Sequence, residues 1–245
     1  MLACSYLKKK SKYFQIIGAI LSALIAFLCM FWLYSAEFSI DISTTSSLEA
    51  AIDEYNFTVD MDVNVIETEK VKNHLFALYE REDLFGNYGI AELERGIFGK
   101  YRFRNCSNSN WQLYNFRSET IDKRNYLLIY GVNDLSDVVS FTVFSSDKME
   151  TVLYTGNVEH SPFLRIVEIE ERYSVLPAFI RYYNEDGIEL AERDLLSQFP
   201  NVYGDKAGTV GSAELWLVYV LLAIVFILGI IFIRYFISPL PWKKK

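Results

Sequence analysis

The chain has 245 residues, 51% of them hydrophobic, and a formal net charge of −7 at neutral pH. The apolar residues are concentrated in two blocks, residues 14–34 and 215–233, and neither block contains a charged residue. About 20 consecutive apolar residues in a helix cross the hydrocarbon core of a bilayer. This composition excludes an ordinary soluble domain and predicts a membrane protein with two transmembrane helices.

The first apolar block follows a short tail that contains four lysines and no acid. Because basic flanks are retained in the cytoplasm, residues 1–13 are expected to be a cytoplasmic tail and residues 14–34 the first transmembrane helix. A cleaved signal peptide is the alternative. It is disfavoured because the apolar run is long and because a cut after Ala36 would leave the bulky Tyr34 at the third position back, where a small residue is expected.

Small residues recur on this predicted helix at a spacing of four, at Gly18, Ser22 and Ala26. Residues four apart lie on one face of a helix, and small side chains there allow close contact between helices. The sequence therefore predicts a helix-packing ridge. Two partners are open for it: the second span of the same chain, or a helix of another protein.

Residues 35–213 are expected to form an extracytoplasmic domain. Residues 35–214, which include one further position, hold 16 of the 24 basic residues and all 31 acidic residues, so their net charge is −15. Such a charge repels nucleic acid and anionic lipid surfaces, so nucleic acid is not expected as a partner. Cys106 is its sole cysteine, which excludes an intradomain disulfide and leaves stability to a hydrophobic core.

The beginning of the domain shows mainly helical spacing. Ser46 and Glu49 have the spacing of a capping box, which predicts a short helix at about residues 46–55. Alternation of apolar and polar residues then predicts a strand at about 59–65. A second helix is predicted from Thr68 to near Glu82, and a weaker one at 90–97. The apolar face of the second helix would consist of Val71, Leu75 and Leu78.

From residue 99 onward, short segments rich in Tyr, Phe, Val and Ile are separated by polar turn clusters. The last two segments flank Asn184-Glu185-Asp186-Gly187, a strong hairpin signal. Strands at this spacing indicate an antiparallel sandwich or a bent sheet. The fold class is therefore two transmembrane helices with an extracytoplasmic α+β domain that is mostly antiparallel β. The predicted strands are 99–106, 111–117, 125–132, 137–145, 149–155, 162–170, 177–183 and 187–190.

The sequence contains no Gly-x-Ser-x-Gly elbow, no His-Glu-x-x-His helix and no phosphate-binding glycine loop. Its two histidines lie outside recognisable motifs. His74 is expected at a surface or interface beside the predicted apolar stripe, and His160 in a turn. Cys106 lacks the local signature of an activated thiol. No catalytic or cofactor-binding residue and no cofactor is assigned.

Acidic residues are plentiful but lack the arrangement of a dedicated site. Asp60 and Asp62 share one strand face and could hold Ca²⁺ or Mg²⁺ through oxygen ligands. The glycine turn and denser ligand set of such sites are missing, so a solvated strand face is the simpler interpretation. A second acidic cluster consists of Glu168, Glu170 and Glu171, and its simplest role is likewise to keep the domain soluble. No metal site is assigned.

The second apolar block extends past Arg234, so residues 214–237 are predicted to be the second transmembrane helix. Residues 238–245 end in three lysines and contain no acid, which predicts a second cytoplasmic tail. An apolar run followed by lysines also occurs at the end of wall-anchored surface proteins. No Leu-Pro-x-Thr-Gly motif precedes it here, so a retained helix is the better interpretation.

Two spans around a central outer domain are similar in topology to the polysaccharide co-polymerases, which regulate chain length in surface-polymer export. In that family a proline-rich segment precedes the second span, whereas Pro239 and Pro241 follow it here. The resemblance is confined to topology and implies a homo-oligomeric scaffold.

The absence of ionisable residues inside the apolar blocks argues against a channel or transporter acting alone. The first hypothesis is a non-enzymatic accessory or sensory subunit of the cell envelope. Its outer domain would bind a protein or ligand, and its helices would dock on another membrane protein. The alternatives are a membrane-anchored envelope-processing enzyme, with a site assembled from scattered Asp, Glu, Ser or His, and a self-associating scaffold.

Overall fold

The computed structural model divides into two compact units, residues 1–39 with 211–245, and residues 40–210. The described residues are 2–55, 62–81, 88–109, 115–132, 135–145, 151–158, 162–169, 179–191 and 212–237.

The first unit is a pair of helices, α1 (Leu2–Glu37) and, at the far end of the chain, Ser212–Ile237, here called α3. Each contains a segment long and apolar enough to cross a membrane, Lys12–Glu37 in α1 and Trp216–Ile237 in α3. The helices are antiparallel, because Gly18 lies against Phe236 whereas Ala26, further along α1, lies against the earlier residue Gly229 of α3. Two helices of membrane-spanning length, as predicted from the apolar blocks, are thereby confirmed.

Among its described residues, the second unit contains one helix and three antiparallel sheets. Helix α2 spans Thr45–Tyr55, which confirms the helix predicted at 46–55. The first sheet is a meander in the order β1-β2-β3-β4, the second has the order β5-β6-β9, and the third has the order β11-β10-β7-β8. The strands are β1 Val63–Val71, β2 His74–Arg81, β3 Tyr88–Arg95, β4 Tyr101–Ser109, β5 Asn115–Ile121, β6 Arg124–Gly131, β7 Ser140–Phe144, β8 Val152–Asn157, β9 Phe163–Ile169, β10 Phe179–Tyr183 and β11 Glu189–Leu190.

All eight strands predicted beyond residue 99 overlap a strand of the structure, β4 to β11. The predicted hairpin is also present: β10 pairs with β11, and the Gly187 N–H donates to the Asn184 carbonyl at 3.0 Å. Gly187 has φ +73°, a left-handed conformation that glycine adopts without a Cβ penalty. The polar turn cluster therefore marked the correct position.

The second unit is built in four layers. Leu48 and Ile52 of α2 pack on one face of the first sheet, against side chains such as Tyr79. The opposite face packs on the second sheet, and the second sheet in turn packs on the third. Both inner sheets are consequently apolar on both faces. The buried side chains between the first and second sheets include Phe76, Leu78, Ile90, Leu128 and Leu164, and those between the second and third include Leu127, Ile129, Phe141 and Val143.

The helix predicted from Thr68 to near Glu82 is wrong, since this segment forms β1, a turn and β2. The weaker helix predicted at 90–97 is wrong as well and falls mostly in β3. Strands β2 and β3 are buried on two faces, so their sequences are nearly continuous apolar runs. Periodicity cannot distinguish such a run from a buried helix. The connecting turn places Lys72 at φ 54°, and the sequence gives only a weak Lys-Asn signal for it.

The capping box of α2 lies two residues earlier than predicted. The Thr44 Oγ1 accepts the Ser47 N–H at 3.2 Å, and the Ser47 Oγ accepts the Thr44 N–H at 3.2 Å. Glu49, predicted to close the box, instead accepts the Val65 N–H at 3.0 Å and ties α2 to β1. The reciprocal pair of bonds satisfies donors that would otherwise be orphaned at the helix start.

A bulge at Ile66 reverses the direction of the side chains along β1. Before the bulge Val65 packs with the α2 layer. After it the side chains of Glu67 and Glu69 reach β9, one of the two edge strands of the second sheet. The Leu164 N–H donates to the Glu67 Oε2 at 2.9 Å, and the backbone of Ile166 forms a hydrogen bond with the carboxylate of Glu69.

Candidate functional site

A cluster of charged side chains from β2, β3, β4 and β5 lies between the first and second sheets, with two of its members buried. We call it the ionic cluster; it consists of His74, Glu92, Arg104, Arg117 and Glu119. In β2 and β3, His74 and Glu92 occupy the same face as Phe76 and Ile90, because side chains alternate along a strand. Strand β4 has a register shift opposite Glu92, and Arg104 is the extra residue at this point.

Glu92 is the centre of the cluster, and only 4% of its side chain is exposed. The Arg117 Nη2 donates to its Oε2 at 2.7 Å. The His74 Nδ1 lies 3.1 Å from its Oε1, and the Arg104 Nε lies 3.3 Å from the same oxygen. One carboxylate thus joins three strands of the first sheet to β5 of the second.

The two carboxyl groups of the cluster are perturbed in opposite directions. Burial opposes ionisation of Glu92, but the hydrogen bond from His74 and the charges of Arg117 and Arg104 outweigh it and lower the pKa of Glu92. Burial dominates at Glu119 and raises its pKa, and the nearby charge of Glu92 adds to the effect, although Arg117 opposes it. Charged Glu92 is therefore favoured by its surroundings and charged Glu119 is not.

A further ion pair lies beside the cluster. Arg102, on β4, donates to the Glu94 Oε2 from Nε at 3.1 Å and from Nη2 at 2.8 Å. The cluster and this pair together contain three arginines and three glutamates beside His74. Each of the three glutamates has an arginine of the same set within ion-pair distance.

A histidine held by a carboxylate is also the arrangement of a general base and the group that orients it. Such a base must reach a proton of the substrate within about 3 Å. The side chains of His74 and Glu92 are only 5% and 4% exposed, so a substrate could not reach them in this conformation. The geometry supports a structural link between two sheets more than a catalytic pair.

The prediction that His74 lies at a surface or interface beside a helical stripe is wrong, because His74 lies on a strand and is buried. Asp62 is exposed just before β1, and Glu168 makes an exposed ion pair with Arg124 at 3.2 Å. Cys106 is buried, with its Sγ 3.4 Å from the Tyr79 hydroxyl. Asp60, His160, Glu170 and Glu171 lie outside the described residues.

Metal-binding groups of three or more His, Cys, Asp or Glu are absent from the part of the chain that the structure describes.

Two of the three ridge residues of α1, Gly18 and Ala26, lie against α3. A Cβ added to Gly18 would stand 2.6 Å from the ring of Phe236, and one added to Gly229 would stand 2.8 Å from the Cβ of Ala26. The Ser22 Oγ donates to the Gly18 carbonyl of its own helix at 2.8 Å. Of the two partners open for the ridge, these contacts favour the second helix of the same chain.

Sequence reasoning missed Glu92, Arg104, Arg117 and Glu119 as a group. They come from three strands of two sheets, and the packing of those sheets brings them together. The only local signal is a charged residue inside an apolar run, as in Gly89-Ile90-Ala91-Glu92-Leu93. A lone acid in such a run is rarely buried without a partner, which would have marked Glu92 alone.

Comparison of the chain with protein-family models, with curated proteins and with solved structures gave no match.

Proposed function

We propose that this chain is a membrane-anchored, non-enzymatic accessory or sensory subunit. In this proposal α1 and α3 cross the membrane, both termini are cytoplasmic, and residues 35–213 are extracytoplasmic. The layered domain binds a protein or ligand, and the helix pair docks on another membrane protein.

The observation that carries the proposal is the self-contained ionic cluster. Its charged groups pair with one another, and three cationic or hydrogen-bonding partners converge on the single carboxylate of Glu92. An arrangement of this kind fixes how two sheets pack, which suits a rigid binding domain. An enzyme would instead need ionisable groups in contact with a substrate.

The helix pair supports the docking part of the proposal. Close contacts between α1 and α3 use the small residues Gly18, Ala26 and Gly229. The remaining sides of both helices expose large apolar side chains, among them Leu24 and Phe226. These sides are available to lipid or to the helices of a partner.

The topology is tested by labelling single cysteines in intact cells with a reagent that cannot cross membranes. Ser43→Cys, in the exposed segment before α2, should react from outside. Ser11→Cys, in the first tail, should react only after the membrane is permeabilised. Reaction of Ser43→Cys only after permeabilisation would overturn the proposed orientation.

The partner is tested by extracting the tagged full-length protein from its own host in mild detergent, then sizing it and identifying stoichiometric companions. A matched variant keeps residues 40–210 and replaces both membrane segments by unrelated helices of leucine and alanine. A multi-span companion lost from this variant supports docking through the helices. A protein that migrates alone, and whose domain binds no component of the envelope, contradicts the proposal.

A scaffold would behave differently in the same experiment. The likeness in topology to polysaccharide co-polymerases predicts a ring of identical chains and no stoichiometric companion. Self-assembly alone would therefore replace the accessory-subunit proposal by the scaffold alternative.

A further inference from the structure

The hairpin between β3 and β4 ends in a tight turn. The Gly99 N–H donates to the Gly96 carbonyl at 3.1 Å, and the Gly96 N–H donates to the Lys100 carbonyl at 2.7 Å. Gly99 has φ +83°, which closes the turn in the manner of a bulged hairpin. The side chains of Ile97 and Phe98 occupy the two central positions and are held out by an ordered backbone.

These two side chains are large, apolar and exposed. Ile97 is 80% exposed and Phe98 is 59% exposed. Central turn positions are usually taken by Asn, Asp, Pro, Ser or Gly, which suit both the backbone and water. A pair of adjacent bulky apolar residues at the tip of a fixed turn indicates a contact surface.

The charge around the tip is opposite to that of the whole domain. Arg95 and Lys100, which flank the turn, are both exposed. Glu94, the acid next to Arg95 in sequence, pairs with Arg102 at 2.8 Å. Arg95 and Lys100 thus place two positive charges beside the turn, in a region whose overall net charge is −15.

The hairpin is bonded to Ile40, the residue with which the second unit begins. Ile40 and Tyr101 exchange backbone hydrogen bonds of 3.0 and 2.8 Å, and Tyr101 directly follows the turn. Ile40 comes three residues after Glu37, the last residue of α1, so a short stretch of chain connects the bonded hairpin to this helix.

We propose that the tip of the β3–β4 hairpin contacts the lipid bilayer, with Ile97 and Phe98 in the interfacial region and Arg95 and Lys100 at anionic headgroups. An apolar pair bordered by basic residues is the composition of an interfacial anchor. The acidity of the domain as a whole predicts repulsion from such a surface, and the tip is its local exception. This inference rests on the proposed membrane anchoring through α1.

The test is a depth measurement on the full-length protein in vesicles of phosphatidylethanolamine and phosphatidylglycerol. Its three cysteines are first replaced by alanine, and a nitroxide label is attached to Phe98→Cys. Spin relaxation by oxygen, which partitions into lipid, is then compared with relaxation by a water-soluble nickel chelate. Circular dichroism of each labelled protein checks its fold, and Ile97→Cys repeats the measurement at the neighbouring position.

Two control positions make the outcomes distinguishable. Ile188→Cys lies at the β10–β11 turn and has the same 59% exposure as Phe98. Leu24→Cys lies in the middle of the first predicted span. We expect oxygen to dominate at positions 98 and 24 and the nickel chelate to dominate at 188.

Water exposure at 98 equal to that at 188, with 24 in lipid, would overturn the inference and leave the anchoring intact. Protection of position 98 from both reagents would also overturn it, in favour of a protein bound at the tip. Water exposure at position 24 would refute the membrane anchoring and this inference together.

Discussion

Replacing Glu92 by glutamine would remove the negative charge that His74, Arg104 and Arg117 share, and would leave Arg117 paired with Glu119 alone. Removing one partner of a buried ion pair costs about 3–5 kcal/mol, because the other partner is left buried and uncompensated. Arg117 and Arg104 keep 21% and 33% of their side-chain exposure, so water compensates part of the loss. We therefore expect the free energy of unfolding to fall by about 2–4 kcal/mol.

The assay is urea unfolding of the full-length protein in detergent at pH 7, followed by the circular dichroism of its buried tyrosines. With a slope of about 2 kcal/mol per molar urea, the midpoint for Glu92→Gln should fall by about 1–2 M. Glu168→Gln is the matched control, since it breaks an ion pair whose partners are 60% and 50% exposed. The control should lose less than about 1 kcal/mol. Equal losses in the two variants would refute the role assigned to Glu92.

The dependence on pH gives the same reasoning a second test. The pKa of Glu92 is lowered in the folded protein. Its stabilising contribution is therefore complete above the ordinary pKa of 4.5 and disappears as the pH falls through the lower folded value. The stability difference between the wild type and Glu92→Gln should shrink below pH 4.5. A difference that stays constant to lower pH would contradict the assignment.

Three further predictions concern other parts of the molecule. Glu119→Gln should show the opposite trend in the same urea titration. Because the pKa of Glu119 is raised in the folded protein, the wild type should gain stability relative to this variant as the pH falls from 7 towards 4.5. Gly89→Ala should lower the free energy of unfolding by about 3 kcal/mol, since the new Cβ would stand 1.9 Å from the Tyr79 ring. Gly187→Ala, with open space around it, should lower it by about 1 kcal/mol, and thermal unfolding compares the two variants. Gly18→Leu should lower disulfide formation between Ala26→Cys and Gly229→Cys, while the exposed Ala23→Leu should not.

The sequence predicted those parts of the fold in which one local signal decides the structure. The apolar blocks specify the long helices, and Asn184 to Gly187 specify a hairpin because their turn chemistry is strong. The segment around Leu75 and Leu78 misled, because a strand buried on both faces loses the alternation that identifies it. Two faces are buried only because the first sheet lies between α2 and the second sheet, which is a property of the tertiary structure.

The candidate site was less predictable than the fold. Glu92 and Arg117 are 25 residues apart in sequence and meet across two sheets. Their contact depends on the order of the layers, and the contact of Arg104 with Glu92 depends on the bulge in β4. The exposed tip at Ile97 and Phe98 was missed for a simpler reason. It falls between the helix predicted at 90–97 and the strand predicted at 99–106, and these two patterns leave no room for a turn at its glycines.

The two glutamates that follow the bulge of β1 also affect how this protein behaves when many copies lie close together. An edge strand with unpaired N–H groups is a template onto which another molecule can add a strand, which is a route to aggregation. Strand β9 is such an edge, and the side chains of Glu67 and Glu69 accept hydrogen bonds from its backbone at Leu164 and Ile166. Side chains of the edge strand β1 thus accept hydrogen bonds from the neighbouring edge strand β9. These N–H groups are therefore not available to a second molecule when many copies are crowded together.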